Sequence, residues 1–371
     1  MNHVSSHVPR TPWTFSLAAN SAILLAGMAA SLSVHSAGPA DAVAKTGTKY
    51  SAHADMQAVL DELAALNGKP IESLTPTEAR KQPTPTDAVM ALLKKQGKDT
   101  AAGALVPGVT SVDRQIPGAA GQLPARVYTP AGAGPFPVIV YFHGGGWVIA
   151  NKGVYDGGAR GLSKQANAVV VSIDYRLAPE AKFPAAWDDA LAAYKWAAAN
   201  AASINGNPQK LALAGESAGG NLAVSTALAA RDAGVAKPLA VVAVYPVAQT
   251  GNLDTASYVD SAMAKPLNKA MIVWFVDKLF VNPKDKADPR IDLVHANLAG
   301  LPPVTLINAQ IDPLRDDGAL LEAALKKAGV QVDRKVYEGT THEFFGTAAV
   351  VKDAAKAQEY AGQQLRRAFG K

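Results

Sequence analysis

The sequence predicts a doubly wound α/β core with a mostly parallel central sheet. Three observations predict it: short valine-rich runs without polar alternation, amphipathic helical segments between them, and a change from helical to extended periodicity after Pro107. Unbroken apolar runs fit strands buried on both faces, and the intervening helices supply the crossovers that parallel pairing requires. With 371 residues, 49% hydrophobic and 18% charged, the chain is long enough for one large domain plus an insertion.

From Tyr50 to about Lys98 the pattern is helical and broken by proline. In "HADMQAVLDELAALNG", Met56, Val59, Leu60, Leu63 and Leu66 share a face, and Asn67-Gly68 supplies a stop. A second helix, "TDAVMALLKKQG", is expected to start at a Thr86-Asp87 cap and end at Gly97. Next, "VTSVDRQIPG" and "LPARVYTP" form two antiparallel strands. Core strands follow at 138–142, 168–173, 211–214, 239–245, 304–308 and 332–337, alternating with helices such as 187–199 and 319–328. One interval breaks the rhythm. Between 250 and 301 there is no strand pattern, only the apolar helix "LNKAMIVWFVDKLF" and the loop "NPKDKADPR", which reads as an insertion lying over the same edge as the N-terminal helices.

The first forty residues carry a single charged side chain, Arg10, and an apolar run spans 13–34. A basic start, an apolar middle and small residues at Val34 and Ser36 predict a signal peptide over 1–36, with cleavage near Ser36. An uncleaved anchor is the alternative, because the run is close to the ~20 residues that span a bilayer. Its Ala, Ser, Gly and Asn content makes it a weak anchor, so the expectation is an exported protein, periplasmic or secreted, whose mature chain does not insert into a membrane. The absence of cysteine excludes lipoprotein anchoring and disulfides. The expected divisions are therefore the leader at 1–36, an N-terminal helical segment at 37–108, core at 109–249, the insertion at 250–300 and core again at 301–371. Although the formal charge is +5, basic residues are scattered and adjacent at most in pairs, as at Lys94-Lys95, so nucleic acid is not an expected partner.

The chemistry-bearing residues lie where such a sheet places ligands, beyond the carboxyl ends of its strands. "KLALAG" runs into "GESAGGNLAVSTALAA", which sets Ser217 in Gly-x-Ser-x-Gly between a strand and a helix. The turn is so tight that residues two before and two after the serine meet, leaving room only for Gly215 and Gly219. A serine hydroxyl needs a base, and the base needs an orienting acid. Of the seven histidines, only His342, in "YEGTTHEFFG", lies after the last strand. Asp312 directly follows the run "PPVTLINAQI", 30 residues before His342, whereas Asp316 and Asp317 are expected to begin a helix. An oxyanion formed at Ser217 needs backbone donors, and these are expected from Ala218 and from the glycine loop His143-Gly144-Gly145-Gly146 in "YFHGGGWV". That loop does not read as a phosphate cradle, because neither Gly-x-x-x-x-Gly-Lys-Ser/Thr nor Gly-x-Gly-x-x-Gly occurs in the chain.

Taken together, "HGGGWV", "DYRLAPE", "GESAGGN", "DPLRDDG" and "HEF" closely resemble the hormone-sensitive-lipase-like branch (bacterial family IV) of the α/β-hydrolases, in order and spacing over about residues 50–371. "LTPTEAR" near the N-terminus is similar as well. The resemblance implies an α/β-hydrolase fold with a cap built from the N-terminal helices and an insertion before the penultimate strand. It implies a serine carboxylesterase for short- to medium-chain esters, without metal or cofactor, acting through an acyl-enzyme. Matched by position, Ser217 is the nucleophile, Asp312 the acid and His342 the base, with the oxyanion hole at Ala218 and Gly144 to Gly146, chiefly Gly145 and Gly146. By the same resemblance "DYRLAPE" is architectural and His143 holds the glycine loop. Two departures stand out: Glu216 precedes the nucleophile where many relatives have Asp or Thr, and "RIDLVHANLAG" leaves His295 with no role to carry over. The same triad also serves amidases, lactonases and carbohydrate acetylesterases, and a ligand-binding receptor is the alternative of another class. Among the aromatics, Trp274, Phe275 and Phe280 are expected to pack, and Trp147, beside the glycine loop, to line the pocket.

Overall fold

In a computed structural model, residues 48–371 are described, and the expected leader at 1–36 lies outside them. The described residues open with helices α1 (Ala54–Ala65), α2 (Pro76–Ala79), α3 (Pro85–Lys95) and α4 (Ala102–Leu105). The hairpin β1 (Val109–Gly118) and β2 (Gly121–Pro130) follows, then β3 (Phe136–Phe142), α5 (Asp156–Ala166), β4 (Val169–Ile173) and α6 (Ala185–Asn200). After them come β5 (Gly206–Glu216), α7 (Ala218–Asp232), β6 (Val241–Val244), α8 (Ala256–Asp260), α9 (Lys269–Leu279), β7 (Val304–Ile311), α10 (Arg315–Lys327), β8 (Val332–Thr341) and α11 (Lys352–Ala368).

The eight strands form one sheet in the order β1-β2-β4-β3-β5-β6-β7-β8. β1, β2 and β4 pair antiparallel, and every neighbour from β4 through β8 pairs parallel. The alternation of side chains along each strand divides the core between two faces. Val138, Val140 and Phe142 of β3 join the cluster packed by α6, α7 and α10, through Trp187, Ala193, Leu222, Ala227, Leu321 and Leu325. Ile139 and Tyr141 join the opposite cluster, against Leu162 of α5 and Ala357, Ala361 and Leu365 of α11. Burying each large side chain of these runs stabilises the fold by about 1.5–3 kcal/mol, so a strand apolar on both faces is held far more firmly than its length suggests.

Some boundaries differ from the sequence reading for identifiable reasons. α3 starts earlier than a Thr86-Asp87 cap: Thr84 is the N-cap, its Oγ1 accepts from the Asp87 N–H at 3.3 Å, and the Asp87 carboxylate accepts from the Thr84 N–H at 2.8 Å. Pro85 occupies the first helical position, where the missing N–H costs nothing. β5 begins at Gly206 because Gly206 already pairs with Phe136; residues 207–210 lie in a register shift, and regular pairing resumes at Leu211 opposite Val138. Between β6 and β7 the segment holds α8 and α9 and, among the described residues, no strand. No helix among the described residues is long and apolar enough to cross a membrane.

Candidate active site

Ser217 sits between the end of β5 and the start of α7 with φ 57° and ψ −119°, a conformation that L-residues rarely adopt. Its N–H donates to the Val244 carbonyl at 2.8 Å, and Asn221 N–H returns to the Ser217 carbonyl at 3.2 Å. The turn is closed by backbone on backbone. A Cβ on Gly215 would stand 2.1 Å from the Gly219 carbonyl oxygen, and one on Gly219 would stand 2.0 Å from that of Phe142. No side chain can yield there, so both positions require glycine.

The carboxyl ends of β7 and β8 deliver the two partners. His342 Nε2 lies 3.0 Å from Ser217 Oγ, and His342 Nδ1 lies 2.8 Å from Asp312 Oδ2. The other Asp312 oxygen accepts the Leu314 N–H at 2.8 Å. All three side chains are almost fully buried. Burial opposes protonation of His342, but the charge and hydrogen bond of Asp312, with Glu343 and Glu216 behind, outweigh it and hold the imidazole above its ordinary value. Asp316 and Asp317 serve α10 and the segment beside it. Asp316 accepts the Ser257 N–H at 2.8 Å, and the buried Asp317 accepts the N–H groups of Ala248 and Gln249. Burial pushes the Asp317 carboxyl up to about 8, against those two backbone bonds.

The glycine loop follows β3. Gly145 and Gly146 have φ of 93° and 58°, and the N–H groups of Val148 and Ile149 both close onto the Gly145 carbonyl at 3.0 Å. Among the described residues, no backbone carbonyl accepts from the N–H of Gly145, Gly146 or Ala218. Gly145 and Gly146 face the same cavity as Ser217 and His342, while Gly144 faces away, against the Tyr155 hydroxyl. His143 is buried, and its Nδ1–H donates to the Gly144 carbonyl at 2.7 Å. Burial drives its pKa down to about 4, more strongly than Asp174 and the Gly144 bond act in the other direction, so the ring is a neutral prop. It stacks on Tyr175 at 4.2 Å, and the Tyr175 hydroxyl donates to the His143 carbonyl at 2.8 Å.

A cavity of about 1080 Å³ opens over Ser217 and His342. Leu60 and Leu63 of α1 wall one side, and Leu267, Met271 and Phe275 wall another. Trp147 is not among the lining residues, which corrects the expectation from its position beside the loop. A φ of 61° turns it under the loop, where it is 2% exposed and stacks on Trp187 at 5.1 Å. Phe275, expected to pack, reaches the cavity together with Tyr155 and Tyr175, and its ring lies directly over Gly146. The four-residue spacing of Met271 and Phe275 is a usable signal, since such residues share one face of α9.

Two carboxylates escaped the sequence reading as site features. Glu343, left-handed at φ 68°, lines the cavity beside His342 and accepts the Tyr155 hydroxyl; burial raises its pKa. Glu216 lies fully buried and accepts the hydroxyls of Tyr141 and Tyr245. Burial pushes it up to about 7, against those two bonds. His295 is exposed and paired with Asp292 at 2.8 Å, away from the cavity. Among the described residues, no group of three or more histidine, aspartate and glutamate side chains is arranged to hold a metal ion.

Comparison with known proteins places this geometry in context. A family model described as the alpha/beta hydrolase fold matches residues 139–346. The chain is 38% identical over 253 residues to carboxylesterase NlhH of Mycobacterium tuberculosis, a match covering 67% of this chain and 79% of that protein. An arylesterase of Saccharolobus solfataricus is 34% identical over 237 residues, covering 61% and 74%. Among solved structures, the hyperthermophilic esterase of Pyrobaculum calidifontis superposes with a TM-score of 0.76 at 33% identity, covering 85% of this chain and 98% of that one.

Proposed function

Because the chain belongs to the hormone-sensitive-lipase-like branch of the α/β-hydrolase superfamily and is a carboxylic ester hydrolase, we propose that it hydrolyses short- to medium-chain acyl esters through an acyl-enzyme on Ser217. His342 Nε2 takes the Ser217 hydroxyl proton as Oγ adds to the ester carbonyl carbon. Asp312 accepts the His342 Nδ1–H and so holds the ring in the tautomer that leaves Nε2 free. The N–H groups of Ala218, Gly145 and Gly146 receive the oxyanion, aided by the positive end of α7. Collapse breaks the bond to the alcohol oxygen, which leaves with the proton from His342, and the acyl group stays on Ser217. Water then gives its proton to His342, adds to the acyl carbon and releases the acid, and Ser217 regains its proton.

The observation that carries this reading is the pair of contacts at 3.0 and 2.8 Å joining Ser217, His342 and Asp312 beneath the cavity. The apolar walls support acyl chains of modest length as the substrate class. The apolar, nearly uncharged leader supports export to a periplasm or the medium, with a mature chain starting near Ala37. Purified protein is expected to hydrolyse p-nitrophenyl acetate and butyrate faster than the palmitate ester. Ser217→Ala should lower kcat by about 10⁴-fold or more. A Ser217→Ala protein with full activity would remove the proposal, and Edman sequencing of the exported form checks the cleavage site.

A further inference from the structure

We propose that Arg80, which reaches from the N-terminal helices to the far side of the glycine loop, is a positioning residue that holds that loop in its donor geometry. The inference rests on the proposed oxyanion role of the loop.

Arg80 follows α2 directly, and α2 is fixed at its start by reciprocal bonds between Thr75 and Glu78. Ala79 is buried beneath it. From this anchored point the guanidinium crosses to two segments of the core. Its Nε–H donates to the Val148 carbonyl at 2.8 Å, and Nη2–H donates to the Ala178 carbonyl at 2.9 Å. The remaining N–H groups grip both oxygens of Glu180, at 2.8 and 2.7 Å.

Val148 lies in the turn that shapes the loop. The inner side of that turn closes on the Gly145 carbonyl through the N–H groups of Val148 and Ile149. Its outward carbonyls each take a donor from outside: Trp147 from the Ala178 N–H at 2.8 Å, and Val148 from Arg80. Ala178 is therefore used twice, its N–H by the loop and its carbonyl by Arg80. The arginine closes a ring of hydrogen bonds running from α2 through Val148 and Trp147 to Ala178 and Glu180.

Charge alone does not explain this arrangement. Arg80 is 27% and Glu180 60% exposed at their side chains, and solvent screens an exposed pair of that kind to a small net contribution. What a guanidinium adds is a rigid planar fork that sets three acceptor groups from two segments in one plane, which the single-point charge of a lysine cannot do. The order of the proposed oxyanion donors thereby depends on docking of the N-terminal segment, and not on the sheet alone.

Arg80→Lys and Arg80→Ala test this against wild type in the full mature protein. Three readouts are needed: kcat and KM with p-nitrophenyl acetate, the inhibition constant of an alkyl trifluoromethyl ketone that would form an oxyanion on Ser217, and Tm. The expected result is a fall in kcat of about 10- to 100-fold, a parallel weakening of the ketone, and KM within about 3-fold of wild type, in Lys as well as Ala. Arg80→Lys keeps the charge and the stem, so it remains informative if Arg80→Ala folds poorly. The inference is overturned if Arg80→Lys leaves kcat and ketone binding within 2-fold of wild type, if only KM moves, or if kcat falls while ketone binding does not. A wild-type protein inert toward the ester would sink the esterase reading itself, which is a different outcome from an active protein indifferent to Arg80.

Discussion

The two glycine-bearing turns of the site differ in what surrounds their outer glycines. At the turn around Ser217 the neighbours of Gly215 and Gly219 are backbone carbonyls from β3 and from the turn itself. At the glycine loop the neighbour of Gly146 is the ring of Phe275, from a helix far away in the sequence, and that of Gly144 is the Tyr155 hydroxyl. The first turn is fixed by covalent geometry and strand pairing, which cannot retreat; in the second, Gly145 is tight against the Ile149 carbonyl, but Gly144 and Gly146 meet side chains, which can retreat. The proposed nucleophile and the Ala218 donor thus stand on rigid ground, while the donors of the glycine loop lean in part on side chains that other segments supply.

Substitutions at the two turns should expose this difference. Gly219→Ala drives a methyl group into the Phe142 carbonyl, so loss of soluble folded protein, or loss of activity by about 10³-fold or more, is expected. Gly146→Ala meets strain at φ 58° and the Phe275 ring, and a loss of about 10- to 100-fold in kcat is expected with the fold intact by circular dichroism. Adding Phe275→Ala to Gly146→Ala should recover part of that loss, because the ring can be removed where a carbonyl cannot. A double variant no better than the single would erase the distinction.

Charge near the base offers a smaller effect. Glu343 is one of the groups that hold His342 above its ordinary pKa. As the proposed base, His342 must be neutral to accept the Ser217 proton, so kcat/KM is expected to rise with pH as it loses its proton. Glu343→Gln removes a negative charge and should move this acidic limb to lower pH, by up to about one unit. A limb that stays in place or moves up would contradict the assignment.

The smallest expected effect lies behind the serine. Burial raises Glu216 from its ordinary value to about 7, so the folded state binds a proton that the unfolded state has released between those two values. Stability attributable to this group is present below about pH 4.5 and is lost as pH rises toward 7. Glu216→Gln keeps partners for Tyr141 and Tyr245 without the charge. It should match wild type in Tm at pH 5 to within a few degrees and exceed it at pH 8, by an amount corresponding to about 2 kcal/mol.

The same contrast explains what the sequence made legible. The hydrogen-bonded group of Ser217, His342 and Asp312 was readable because each member obeys a local rule: glycines two residues either side of Ser217, Asp312 directly after a strand run, and His342 as the one histidine beyond the last strand. The sheet was readable because strands apolar on both faces need no tertiary information. Trp147 and Phe275 were not separable by such rules. Adjacency to the loop favoured Trp147, but a left-handed backbone at that residue sends it into the core, and only packing of α9 brings Phe275 over Gly146. Glu343 was equally hidden, since nothing in its identity announces a positive φ. The start of α3 is hidden for a smaller reason: a proline looks like a break in the pattern, yet Pro85 is the first residue of the helix capped by Thr84.

The central claim is that ester cleavage passes through an acyl group on Ser217, and the most direct measurement is to trap it. Wild-type protein mixed with p-nitrophenyl butyrate and quenched in acid during turnover should carry one butyryl group, mapped by peptide mass spectrometry to the peptide containing Ser217, and Ser217→Ala should carry none. A butyryl group on another residue, or one that persists in Ser217→Ala, would contradict the account.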